Sequence, residues 1–162
     1  MPMRHTKRLL SLVAVMTLAA CTDNGIFNPN QDFSGTYTLT VFAGRSVPAT
    51  YTFQPGDPDF PNGGTFVVNN GQLTLNNNGT FTETNNYTTT QNGQQPTQTS
   101  FVSSGTWTNN GTNFTMFAPA QNGNPARNVT GTLDVDTQGR ATAFYQEVDP
   151  QTGVVESYEY KR

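Results

Sequence analysis

Residues 22–162 of this chain contain neither histidine nor cysteine: the only histidine is His5 and the only cysteine is Cys21. That double absence removes whole classes of chemistry. A Ser-His-Asp or Cys-His nucleophile system, a His/Cys zinc site, a haem held by His and an internal disulfide all need side chains this stretch does not have. Charge is scarce too, at 12 % Asp, Glu, Lys and Arg, so the polar surface rests mainly on Thr, Asn, Gln and Ser. Beyond residue 21 only Arg45, Arg127, Arg140, Lys161 and Arg162 are basic; five against eleven acidic residues is a formal charge of −6. A nucleic acid partner, or an anionic membrane held through a basic face, is therefore disfavoured. From Phe33 onward no window of about ten residues holds a 3.6 period, which leaves no convincing helix.

What the chain does have begins with a basic segment, Arg4, Lys7 and Arg8, followed by the apolar run Leu9–Ala20. That is the order of a secretory signal. As a helix the run would extend about 18 Å at ~1.5 Å per residue, against a hydrocarbon core of ~30 Å, so it is a poor permanent span. Leu18-Ala19-Ala20-Cys21 resembles the bacterial lipobox, in which the signal is cut before the cysteine and its thiol takes a diacylglycerol. The resemblance implies that residues 1–20 are a lipoprotein signal peptide and that Cys21 is lipidated, tethering the rest to a membrane of the bacterial cell envelope. Two or three acyl chains anchor stably where one is marginal. Thr22, rather than Asp, follows the cysteine, which by the sorting rule of such lipoproteins favours the outer membrane. Residues 21–32 carry Asn24-Gly25 and Asn28-Pro29 without apolar period and read as a flexible linker.

Residues 33–162 read as one all-β domain. In Gly35-Thr36-Tyr37-Thr38-Leu39-Thr40-Val41 the odd positions are apolar or small and the even ones threonine, so the odd set is expected to face a core. A second strand is expected around Val47 to Phe53, and the Pro-rich stretch 55–64 reads as a loop. Asn-Gly and related turn signals recur: Asn69-Asn70-Gly71, read as a hairpin between 65–68 and 72–75, then Asn77-Asn78-Gly79, Asn109-Asn110-Gly111, Asp136-Thr137-Gln138-Gly139 and Asp149 to Gly153. Asn85 to Ser100, biased to Asn, Thr and Gln, is expected to be the exposed end of a long hairpin. The pattern predicts an antiparallel meander that closes into a barrel of about eight to ten strands, with a β-sandwich as the alternative.

Phe33-Ser34-Gly35-Thr36-Tyr37 after the linker, Leu73 to Phe81 in the middle, and Ser104-Gly105-Thr106-Trp107 before the next hairpin resemble the bacterial lipocalin-like lipoproteins of the calycin type. Gly35-Thr36-Tyr37 stands where lipocalins carry Gly-x-Trp, with Tyr for Trp. The family's basic residue packed over that ring would be Arg140 or Lys161. The resemblance implies an antiparallel barrel, often with an apolar cup, and names no ligand, because such barrels host many functions.

Two roles follow as expectations. In the first, the barrel binds a small apolar or amphipathic ligand in a pocket lined by Tyr37, Leu39, Phe81, Glu83, Phe101, Trp107, Phe114, Tyr145 and Tyr158. In the second, these rings fill the barrel and the protein is a structural or protein-interaction lipoprotein of the envelope, an inhibitor of an exported enzyme among the options. An enzyme is not expected, and neither a cofactor nor a metal. Asp134-x-Asp136-x-Gln138-Gly139 opens like a calcium loop, but Tyr145 occupies its twelfth position, which favours a polar turn. Glu83 shares a strand face with Phe81, and a buried acid there acts in acid-base chemistry only if desolvation raises its pKa. Glu156, Tyr158 and Tyr160 pose the same question on the last strand.

Overall fold

The structure, a computed structural model, describes residues 31–121, 124–148 and 153–162. The expected signal, the lipobox-like motif, most of the expected linker and Asp149 to Thr152 of the last predicted turn lie outside the described residues. Ten strands follow one another: β1 (Gly35–Phe42), β2 (Arg45–Ser46), β3 (Ala49–Pro55), β4 (Asn62–Leu75), β5 (Thr80–Gln91), β6 (Thr97–Asn110), β7 (Asn113–Ala118), β8 (Arg127–Val135), β9 (Ala141–Val148) and β10 (Val155–Lys161). No helix occurs among the described residues. Every pairing is antiparallel, β4 to β10 form a meander, and β1 closes it by pairing with β10 on one side and β4 on the other. The result is an eight-stranded closed barrel, β1 with β4 to β10, while the short β2 and β3 lie on its outer edges. The sandwich alternative is set aside by the β1–β4 pairing, since closure removes the two free edges of an open sheet.

One predicted turn is absent. Asn69-Asn70-Gly71 does not make a hairpin: β4 runs unbroken for 14 residues through it, with a bulge between Val68 and Asn70. The bulge changes which parity points inward, from Phe66 and Val68 before it to Gly71, Leu73 and Leu75 after it. Two apolar sets of opposite parity around Asn-Gly look like two strands in sequence, and one extra residue in a single strand satisfies the same pattern. The neighbours of Asn69 and Asn70 stabilise the bulge, as Asn69 Nδ2 donates to Thr88 Oγ1 at 2.9 Å and Asn86 Nδ2 to Asn70 Oδ1 at 2.7 Å. Gly71 has no room for a side chain, because a Cβ would meet Asn85 Oδ1 at 2.1 Å and Leu39 Cβ at 2.9 Å. A second irregularity between Leu39 and Val41 turns Phe42 inward in place of Val41.

β1 holds the edge of β4 only from Gly35 to Thr38, and β3 takes over that edge from Val68 to Asn62. Tyr51 of β3 spans the split, donating its hydroxyl to the Phe42 carbonyl at 2.6 Å. The predicted Pro-rich loop is real between β3 and β4, though shorter than expected: Pro55 already pairs with Asn62, and Phe60 is buried flat on Phe53 with centroids 4.3 Å apart. The long polar hairpin also tightens, with strand out to Gln91 and again from Thr97, and Asn85 is buried rather than exposed.

One end of the barrel is packed solid. Tyr37, Leu39, Leu73, Leu75, Phe81, Trp107, Phe114, Met116 and Leu133 are all buried there in one apolar cluster. Each such side chain contributes about 1.5–3 kcal/mol by leaving water. Buried polar atoms in this end have partners: Tyr37 donates to the Phe33 carbonyl at 2.6 Å and Trp107 Nε1 to the Asn76 carbonyl at 2.8 Å. Arg162, not Arg140 or Lys161, lies over the Tyr37 ring, its guanidinium carbon 5.5 Å from the centroid, and donates to the Ser34 carbonyl. Arg140 is instead paired with Asp136 at 2.6 Å and Lys161 with Glu159 at 2.8 Å. A sequence window that places the basic residue within the last strand misses by one position, because Lys161 points to the outer face and Arg162 to the ring.

Candidate functional site

The other end of the barrel is open. It carries the hairpin after β1, the turn between β5 and β6, the loop from β7 to β8 and the connection from β9 to β10. Within it lies a cavity of about 910 Å³, walled by Phe42, Phe66, Tyr87, Phe101 and Tyr158 and reached by Arg127, Glu147 and Glu156. Its breadth follows from unequal strands. β6 pairs with β5 back to Thr97, whereas its ladder with β7 stops at Thr106–Phe117. Beyond that ladder β6 meets the segment after β7 at Ser104, whose carbonyl accepts Gln121 Nε2 at 2.8 Å.

Between the open and packed ends stands a layer of buried polar groups centred on Glu83, which is wholly inaccessible to solvent. Its Oε2 accepts Arg127 Nη1 at 2.5 Å. Its Oε1 accepts the Tyr145 hydroxyl, the Tyr160 hydroxyl at 2.7 Å and Asn85 Nδ2 at 3.0 Å. Arg127 continues outward: Nε donates to both Glu147 oxygens at 2.8 and 2.7 Å, and Nη2 to the Tyr145 hydroxyl at 3.0 Å. The β8–β9 ladder ends at Gly131–Tyr145, so this guanidinium joins the two strands, through Glu147, where backbone pairing has stopped.

Burial by itself would push the Glu83 carboxyl up; Arg127 and the phenol hydrogen bonds outweigh it and hold the pKa below the ordinary value. Desolvation opposes the Arg127 charge, and Glu83 more than restores it, so the guanidinium stays protonated. The Tyr145 and Tyr160 phenols are pushed up, first by burial and then by Glu83, and remain neutral donors. Tyr87 and Tyr158 at the cavity wall are pushed up as well, chiefly by burial. The condition for Glu83 as an acid-base group, a raised pKa, is therefore not met.

Of the nine residues expected in a pocket, Phe101 and Tyr158 line the cavity. Glu83 and Tyr145 do not line it; they are buried beneath Arg127, which does. Tyr37, Leu39, Phe81, Trp107 and Phe114 belong to the packed core and do not line it. Sequence reasoning passed over Arg127, Glu147 and Asn85. A signal for Arg127 was present: it stands at period two with Val129 and Leu133, both buried, so it shares their inward face. In the Asp134–Gly139 turn, the Asp136 carboxylate is occupied by the Gln138 and Arg140 amides and by the Arg140 side chain. Among the described residues no group of His, Cys, Asp or Glu is arranged to hold a metal ion. Compared with protein-family models and with curated proteins, the chain matches none.

Proposed function

We propose that this protein is a lipid-anchored lipoprotein of the bacterial cell envelope, held through Cys21, whose lipocalin-like barrel carries a small amphipathic molecule in its open end. The cavity of about 910 Å³ is the observation that carries this reading. It lies in the ~300–1,000 Å³ range of small-molecule sites and combines ring walls with a few convergent polar groups. The lipocalin likeness gains support at the opposite end, where Gly35, Tyr37 and Arg162 pack together. A Cβ on Gly35 would meet Arg162 Nη1 at 2.8 Å, so glycine lets the guanidinium settle beside the first strand and over the ring. Binding is favoured over catalysis because Glu83 is ionised, sealed from solvent and fully engaged.

A neutral, environment-sensitive dye such as Nile red tests the reading. It is expected to brighten and saturate at one equivalent with the full chain, and to lose that response in Ser103→Trp, which fills the inner wall of the cavity. An undiminished response in the filled variant would place the dye elsewhere and remove the support. The second reading, a protein-interaction lipoprotein, draws on Val148, Val154 and Val155, which are more than half exposed around the open end. It becomes the preferred reading if the cavity takes no small molecule.

A further inference from the structure

We infer that the cavity selects an uncharged ligand, a neutral polar group carried on an apolar body, and that Glu147 sets this preference by holding Arg127 away from anions. This rests on the binding reading above and adds the chemical class. Arg127 is the only cation among the cavity's lining residues, so an anionic ligand would need its N–H groups. Each of its three nitrogens is already committed: Nη1 to Glu83, Nε to both Glu147 oxygens, and Nη2 to the Tyr145 hydroxyl with Glu147 Oε2 also 2.6 Å away. Drawing Arg127 outward toward a carboxylate or phosphate would strip Glu83, which has no access to water, of its counter-charge. The outer partner differs, because the Glu147 side chain is 29 % exposed and is the group that covers the outward side of the guanidinium.

A cationic ligand meets the same difficulty. Glu83 and Glu147 are held by Arg127, and Glu156 Oε2 accepts the Tyr158 hydroxyl at 2.7 Å. An ammonium group would leave water beside a guanidinium of its own sign and compete for carboxylates that are already engaged. The rest of the wall suits a neutral occupant. Phe66 and Tyr87 lie nearly parallel with centroids 5.1 Å apart, and Phe42 meets Tyr158 edge-on at 5.0 Å, so an apolar body finds both ring faces and ring edges. The Tyr87 and Tyr158 phenols are pushed up by burial and stay uncharged. Asn124, Asn128 and Gln146 also line the cavity, and their amides can hydrogen-bond a hydroxyl or an amide with no counter-ion needed.

Three probes of similar shape separate the charge classes: 4-phenylbutanol, 4-phenylbutylamine and 4-phenylbutyrate. Each is titrated by calorimetry at neutral pH, where the amine and the acid are ionised, into the full chain held in zwitterionic nanodiscs, with empty nanodiscs as reference. The alcohol is expected to bind about tenfold more tightly than either ion. Glu147→Gln keeps Glu83 paired with Arg127 and removes the outer carboxylate, so it is expected to strengthen carboxylate binding severalfold and to leave the alcohol unchanged. Equal binding of the three probes by the wild type, or a preference for either ion, would overturn the neutral class while leaving the cup itself standing. No binding of any probe would overturn both. Carboxylate binding unmoved in Glu147→Gln, with the fold intact by thermal melt, would overturn the role given to Glu147.

Discussion

Arg127 is where a single residue has the most to lose. Truncating it to alanine leaves Glu83 ionised, inaccessible and without a counter-charge, a situation that costs about 3–5 kcal/mol in buried pairs. Urea unfolding at neutral pH is expected to register that loss. The pH dependence should also change sign. With Arg127 present, the Glu83 pKa is depressed in the fold, so its contribution to stability is full above the unfolded carboxyl value near ~4.3 and lost as pH falls through the lower folded value. Without Arg127, burial dominates and raises the folded pKa above the unfolded one. The variant then gains relative stability on acidification, as pH falls from that raised value toward the unfolded one near ~4.3. Parallel urea titrations of the wild type, Arg127→Ala and Glu83→Gln from neutral to mildly acidic pH check this; a wild-type slope retained in Arg127→Ala would contradict it.

At the level of the strands, Gly71, Gly105 and Gly131 are required by approach distance rather than by turn geometry. A Cβ on Gly131 would meet the Phe144 carbonyl at 2.3 Å and the Phe114 ring at 2.6 Å. Gly131→Ala is therefore expected to destabilise by about 1–3 kcal/mol, read by a lowered urea midpoint, because a backbone carbonyl and a packed ring must both move. Gly71 is tighter still and sits at the β4 bulge. These positions also mark where the strands were and were not legible. Period-two alternation and Asn-Gly turns are local, so most strands and the hairpins at 76–79, 110–112 and 136–139 could be read directly. A bulge is decided by the partner strand, and the parity reversal at Asn69–Gly71 has the same sequence trace as a turn. The polar layer was half legible: Glu83 was placed inward by parity with Phe81, and the same parity rule applied to Arg127 and Val129 would have placed its partner. Glu147 was harder, because its pairing with Arg127 depends on the ladder ending at Gly131.

For the molecule as a whole, an all-β meander that must close or stack to bury its apolar face was legible in the sequence; closure rather than a sandwich is decided by the β1–β4 pairing. Whether the barrel would be open or filled was not legible, since the same rings serve either purpose, and the structure has one end of each kind. The proposed anchor belongs to this scale too. Cys21→Ala is expected to abolish lipid labelling and to move the protein from the membrane to the soluble fraction, checked by fractionation; persistent attachment would refute the lipobox reading. None of the described residues forms a helix long and apolar enough to cross a membrane.

Small molecules are expected to enter one end of the barrel and not the other. Amide and side-chain NMR shifts of the 17.6 kDa chain during titration with Nile red check this residue by residue. Saturable shifts are predicted at Phe42, Phe66, Tyr87, Phe101, Glu147 and Tyr158, with Tyr37, Leu75, Trp107 and Phe114 unmoved. Shifts confined to the outer surface, or centred on Trp107 and the packed end, would contradict it.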